Sequence, residues 1–412
     1  MRPVWMTNVC HLRPDGTFGV ADLAVEGGLI AEVTDPGSQQ STMDCSGYVV
    51  LPGLVNGHFH SQTSVVRGLD TGLELFDWFG DSPGGRMQSK IGEWLDDPAH
   101  LDDVAALARY EYVAMLRQGV TFVADCGFSE CPPGVLADVG DEIGVRALVQ
   151  AYDDWICKVE DPARYTVNID SEEDLTAAVL ERTTGYLVKY APIFALHCLE
   201  TVKRRAIVQQ NWGRSTVRLL ADRGLLSSRT VLFHGCEIDA DDLELVAKAG
   251  ASIMHCPVSN LSIHGRIAPA TDWFRAGVTV GLGTDWGDVD MWGTIRTAWL
   301  LQQTGSRPLA TREDVLRMAT RGGAVGYGRA DLGEIAPGRA ADLVFLDAAR
   351  LRPSVHRADL STLAFAIFAE GGPGLVREVM VGGHWVLRDG DPVRVDAHQV
   401  AADYQRIVAK LH

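Results

Sequence analysis

His58-Phe59-His60 is the sharpest chemical signal in this sequence. Side chains along a strand alternate with period two, so both imidazoles point the same way and can share one metal ion. Histidine is the commonest metal ligand, although a solvated or hydrogen-bonded pair at a strand end would show the same spacing. With His234 and Asp285 added, the set becomes three nitrogens and a carboxylate. That set suits one divalent transition metal with an open position for water. Zinc is the default, and His and Asp ligands also suit iron or manganese.

Such residues need a frame that gathers distant stretches at one place. Asp103 to Arg117 has helical periodicity, stops at Gly119 and gives way to the strand-like Val120-Thr-Phe-Val-Ala-Asp. Asp241 to Gly250, followed by Ser252-Ile-Met-His, repeats the plan. Candidate strands are 51–58, 120–125, 145–151, 165–169, 192–197, 230–234, 251–255 and 278–284, the run at 165–169 having the least strand character. Strands alternating with helices imply a parallel sheet with helical crossovers, and eight repeats permit closure into a (β/α)8 TIM-type barrel of the α/β class. His58 and His60 close the first candidate strand, His197, His234 and His255 close others, and Asp285 follows the last. Active sites of such barrels lie at the C-terminal ends of the strands, so these side chains would converge on one mouth.

The two ends of the chain read differently. Gly19 to Val25, Gly28 to Val33 and Tyr48 to Leu51 are short β-branched runs broken by Gly, Asp and Pro. Ala341 to Asp347 and Val376 to Leu387, hinged at Gly382-Gly383, have the same texture. The expected organisation is a small β-sandwich domain from 1–50 plus 341–395, a catalytic barrel over 51–340, and a C-terminal helix over 396–412.

Composition narrows the class. The chain has 412 residues, 46% hydrophobic and 22% charged, which suits one large domain plus a smaller one. No apolar run approaches the ~20 residues needed to span a bilayer, and the N-terminus does not read as a signal peptide. Eight cysteines, with no Cys-x-x-Cys pair, fit reduced thiols in the cytoplasm. A net charge of −17 argues against a nucleic-acid partner. A homodimer is expected only from the base rate for soluble enzymes.

Val49-Val-Leu-Pro-Gly-Leu-Val-Asn-Gly-His-Phe-His resembles the first-strand signature of the amidohydrolase superfamily. The branch it resembles is the one-metal branch of nucleobase and adenosine-type deaminases and triazine hydrolases. Further segments resemble it in order: His197-Cys-Leu-Glu-Thr, His234-Gly-Cys-Glu, His255-Cys-Pro-Val-Ser-Asn-Leu, Gly281-Leu-Gly-Thr-Asp285, and the return Leu332 to Val344. The resemblance implies His58, His60, His234 and Asp285 as metal ligands. The metal would lower the pKa of its bound water towards ~7, giving a hydroxide that attacks the substrate. Asp285 would take the proton, Glu237 would act as the acid–base shuttle, and His255 would polarise the water or steady the tetrahedral intermediate. His197 and Glu200 would line the substrate side. The implied activity is hydrolytic deamination of an amino-substituted nitrogen heterocycle with release of ammonia. The alternatives are hydrolysis of a cyclic amide, imine, N-alkyl or chloro substituent at the same site, or a non-enzymatic descendant of the fold.

Several residues carry two readings. Trp286 is best placed to stack on a flat heterocycle, with Trp78 and Trp155 as further candidates. Gln62 and Arg67 could hydrogen-bond a substrate or cap the following helix, and His264 is a specificity element or a loop residue. Cys198, Cys236 and Cys256 read as packing. Lys189 is rejected as a carboxylated bridging lysine, since no candidate strand ends there. The stretches 70–95 and 152–190 look atypical of the family, and the first lacks a clear acidic ribose-holding residue. Those departures bear on the substrate and leave the metal chemistry intact.

Overall fold

The computed structural model describes residues 3–37, 42–69, 72–95, 97–127, 132–152, 164–303, 310–351 and 360–411. One of its two nine-stranded sheets is all-parallel and carries the eight expected barrel strands. They run Leu54–His60, Val120–Asp125, Arg146–Ala151, Tyr165–Ile169, Phe194–Cys198, Thr230–His234, Ser252–His255 and Thr279–Leu282. Even the sparse segment at 165–169 is a strand, held by Gln150 opposite Thr166 on one side and Val167 opposite Phe194 on the other. These strands are buried on both faces, which is why they read as short continuous apolar runs.

The barrel closes through the segment that carries Asp285. Thr279–Leu282 pairs with Ser252–His255, and the short extension Asp285–Trp286 pairs with Phe59 and His60 of the first strand. Between them, Gly283 donates its N–H to His255 O, and Thr284 N–H donates to Asn56 Oδ1 at 3.0 Å. A Cβ on Gly283 would lie 2.7 Å from the Cβ of His58, so this seam admits only glycine.

Both chain ends build a second sheet of nine connected strands, the small β domain expected of them. Its order runs from Asp391–Pro392 through 384–388, 376–381, Leu343–Asp347, Tyr48–Pro52, Val4–Leu12 and 18–26 to 29–34, with 43–44 alongside Val4–Leu12. Met6, Leu23, Val50, Leu343 and Phe345 meet in its own apolar cluster. The first barrel strand is corrected from 51–58. Residues 51 and 52 belong to Tyr48–Pro52, antiparallel to Leu343–Asp347, and the barrel strand starts at Leu54 and ends at His60. Gly53 is the changeover, donating its N–H to Asp342 O while Leu54 N–H reaches Gly119 O.

The C-terminal helix Ala397–Leu411 lies on the helix Leu101–Leu116. Tyr404 stacks on Tyr110 with ring centroids 3.9 Å apart, and Arg406 and Lys410 both pair with Asp103. Among the described residues no helix is long and apolar enough to cross a membrane.

Candidate active site

The expected ligands meet at the barrel mouth. Nε2 of His58 lies 2.9 Å from Asp285 Oδ1, Nε2 of His60 lies 3.5 Å from the same oxygen, and Nε2 of His234 lies 3.9 Å from Asp285 Oδ2. Each side chain is delivered by its strand end, and two of the backbones are bent to do it. His234 and Asp285 adopt left-handed conformations, with φ of 66° and 65°. Non-glycine residues avoid that region, and where they occupy it the surrounding structure pays for a functional geometry.

His197 joins this group more closely than the sequence reading placed it. Ligating atoms of His58, His197, His234 and Asp285 all lie within 4.8 Å of one another. Its Nδ1 is 2.5 Å from the carbonyl oxygen of Asp170, and its ring stacks on those of His60 and His234.

The donor set fits a divalent metal. His58 is fully buried, and burial pushes its pKa down to about 4, so the imidazole is neutral and free to ligate. Burial alone would raise the pKa of Asp285, but the imidazoles of His58 and His234 outweigh it and hold the carboxyl well below the usual range. Supporting partners orient the donors, as metal-binding histidines require. Asn260 Oδ1 lies 2.8 Å from His234 Nδ1, and the Ser259 hydroxyl donates to Asp285 Oδ2. Both come from the helix Pro257–His264, directly after His255.

His255 is 1% exposed, and among the described residues neither ring nitrogen has a hydrogen-bond partner. Burial, reinforced by His234, lowers its pKa to about 3, so it is neutral. The two candidate carboxylates have different settings. Glu200 lines the cavity, its Oε1 3.7 Å from His234 Nε2 and its Oε2 paired with Arg204, which also reaches Glu173. Glu237 follows His234 through the turn at Gly235, and its N–H donates to Leu199 O at 2.8 Å. Its carboxylate turns to Arg266, 2.7 Å from Nε, and does not line the cavity.

A cavity of about 250 Å³ opens above the ligands, with His60, His197 and Asp285 on its floor. Trp78, Phe79, Leu75, Ile263 and Trp286 form an apolar wall, and Trp78 meets Trp286 edge-on at 4.3 Å. Gln88, Tyr152, Asp170 and Arg204 supply the polar side. None of these four was singled out from the sequence. Gln88 lies in the first atypical stretch and Arg204 on the helix Val202–Trp212, while Tyr152 and Asp170 directly follow the strands Arg146–Ala151 and Tyr165–Ile169, a strand-end position that could have marked them.

The remaining candidates separate. Gln62 is fully buried beside Gly127 of the cavity wall, and neither of its amide atoms has a partner among the described residues. Arg67 braces the loop after Asp285, donating to Gly287 O and pairing with Glu111 at 3.3 Å. Cys198 and Cys256 are fully buried and Cys236 nearly so, all three as free thiols. Lys189 sits near the end of the helix Ala177–Tyr190, exposed, with Nζ over the Tyr190 ring. Trp155 lies outside the described residues, and so does the side chain of His264.

Comparison with known proteins agrees with this architecture. The amidohydrolase family model matches residues 49–182 and 189–386, so it spans 70–95 and most of 152–190. The chain is 30% identical to a 5-methylthioadenosine/S-adenosylhomocysteine deaminase of Natronomonas pharaonis, over 97% of this chain and 96% of that protein. It is 28% identical to an 8-oxoguanine deaminase of Pseudomonas aeruginosa, over 100% of this chain and 99% of that one. A zinc-bound adenosine deaminase from Xanthomonas campestris superposes with a TM-score of 0.86 at 25% identity, covering 99% and 98% of the two chains. On the family match across most of its length, this chain belongs to the amidohydrolase family.

Proposed function

We propose that the protein is a metal-dependent hydrolytic deaminase that exchanges the exocyclic amine of a nitrogen heterocycle for oxygen and releases ammonia. The observation that carries this reading is the gathering of His58, His60 and His234 around Asp285, with His60 and Asp285 on the floor of a cavity walled by Trp78 and Trp286. Relatives named as deaminases of adenosine-type compounds and of 8-oxoguanine support it.

His58, His60, His234 and Asp285 are the residues assigned to hold the ion, and zinc is the ion inferred, as in the zinc-bound relative. When bound, the ion supplies Lewis acidity that lowers the pKa of water towards ~7. Asp285 faces both the imidazoles and the cavity, so its ionised carboxylate accepts the proton that water loses. His255, buried and neutral, is assigned to polarise the attacking water or to steady the tetrahedral intermediate through its new hydroxyl oxygen, while the charge that develops falls on the ring nitrogen beside the attacked carbon. Trp78 and Trp286 hold the ring flat, and His197, Gln62 and Glu200 are assigned to its polar edge.

We assign proton delivery to the leaving amine to Glu237 rather than Glu200, because the two ion pairs differ in what it takes to open them. Arg266 is 49% exposed, and pairs of that kind are worth ~0–1 kcal/mol, so the Glu237 carboxylate can leave it for a substrate. Glu200 and Arg204 are both buried, and opening a buried pair costs ~3–5 kcal/mol. The balance of the reaction is then complete. A C–O bond forms, the C–N bond to the exocyclic amine breaks, one proton of the water leaves with ammonia and the other stays with the oxygenated product. The test is a screen for ammonia release over aminopurines, pterins, aminopyrimidines and aminotriazines, with product mass showing amine replaced by oxygen. Turnover without ammonia would refute deamination and leave hydrolysis at another bond.

A further inference from the structure

A histidine that binds a metal through Nε2 carries its proton on Nδ1, and that N–H needs an acceptor to fix the ring. For His234 the acceptor is Asn260 Oδ1 at 2.8 Å. For His58 the atom facing Nδ1 is a sulfur, Sγ of Cys126, at 3.1 Å. Cys126 directly follows the second barrel strand, is fully buried, and donates its backbone N–H to Phe59 O at 2.7 Å. The thiol is therefore pinned level with His58-Phe59-His60. The imidazole it meets has little room to turn. His58 stacks on Phe233 at 3.9 Å and meets His197 and His234 edge-on at 4.8 and 5.4 Å. With Nδ1 against sulfur, Nε2 is left facing Asp285 Oδ1 at 2.9 Å.

We propose that Cys126 is a positioning residue of the metal site: its sulfur accepts the Nδ1 hydrogen of His58 and holds that ring in the tautomer that presents Nε2 to the ion. This inference rests on the metal reading given above. The rival geometry makes sulfur itself a ligand, since Cys126 with His58 and His60 also forms a group whose atoms lie within 4.8 Å. The orientation of the ring argues against it. Sγ faces Nδ1 of His58 at a hydrogen-bond separation of 3.1 Å, whereas the nitrogen turned towards Asp285 is Nε2.

The experiment compares wild type with Cys126→Ala, Cys126→Val and Cys126→Ser, reading zinc affinity by chelator competition and the absorption spectrum of the cobalt-loaded proteins. Zinc binding weakens about 10–100-fold in both Cys126→Ala and Cys126→Val, and Cys126→Ser recovers much of the loss because a hydroxyl accepts the same hydrogen. Wild-type affinity in the Ala and Val variants overturns the proposal. So does full recovery by Val alone, which would make the contact one of packing. A sulfur-to-cobalt charge-transfer band in the wild type overturns it in favour of direct ligation. A wild type that binds no metal overturns the metal reading itself. Should the variants not fold, nitrogen NMR of His58 in the zinc-loaded wild type decides alone: a protonated Nδ1 is expected, and an unprotonated one contradicts the role.

Discussion

Asp285 Oδ1 lies 2.9 Å from Nε2 of His58, and the barrel seam is what brings them together, because the backbone of Asp285 pairs with Phe59 beside that histidine. Replacing Asp285 with Asn keeps the shape and removes both the charge and the proton acceptor. Asp285→Asn is expected to bind less metal and, at saturating metal, to turn over ~10²–10⁴-fold more slowly. Metal analysis and an ammonia assay on the same sample check both parts. Unchanged turnover would rule out Asp285 as the proton acceptor.

Among the described residues, Asn260 reaches the site through His234 Nδ1. Asn260→Ala is expected to weaken metal affinity ~10–100-fold, as loss of such an outer partner typically does, while KM measured at saturating metal stays near the wild-type value. A large KM change with unchanged metal affinity would point instead to a substrate contact.

The two carboxylates at the mouth make opposite predictions. Glu237→Gln keeps the metal and the fold, and loses ~10²–10⁴-fold in kcat. Glu200→Gln leaves the buried Arg204 with Glu173 as its remaining carboxylate partner, so its main effect is a loss of stability of at most ~3–5 kcal/mol. Thermal melts and kcat for both variants separate the roles, and a Glu237→Gln enzyme with full activity would transfer the shuttle to Glu200.

Glu172 gives a pH test remote from the ligands. Burial pushes its pKa up from 4.5 to about 7, even though the Thr216 hydroxyl and the Leu199 N–H donate to it. Between those values the folded chain keeps a proton that the unfolded chain has lost, so this group's contribution to stability falls as pH rises through that window. Glu172→Gln has no such proton to lose. Its melting temperature relative to wild type should rise from pH 4.5 to pH 7.5, and a constant difference would contradict the buried-carboxyl account.

Much of this was legible in residue order. Strand-end histidines announced the site because in a parallel barrel each strand's C-terminal residue faces the same mouth. Long-range choices were harder to read. Residues 48–60 form one apolar stretch, and only pairing with Leu343–Asp347 on one side of Gly53 and with Val120–Asp125 on the other divides it. Likewise, nothing local to Glu237 says that it meets a half-exposed Arg266, and the four-residue spacing of Glu200 and Arg204 does not say that both are buried. Arg67 looked equally suited to a substrate, yet its guanidinium is spent on Gly287 and Glu111. Cys126 carried no signal at all, since a lone buried cysteine reads as packing until the atom beside it is known.

The central claim is that three imidazoles and Asp285 hold one ion that the chemistry requires. It is tested most directly by metal analysis of the purified protein, removal of the ion with a chelator, and add-back of zinc, with ammonia release from an aminopurine and aminotriazine panel followed throughout. The account predicts about one equivalent of metal, loss of ammonia release on removal and its return with zinc. Ammonia release that persists in fully metal-free protein would contradict it.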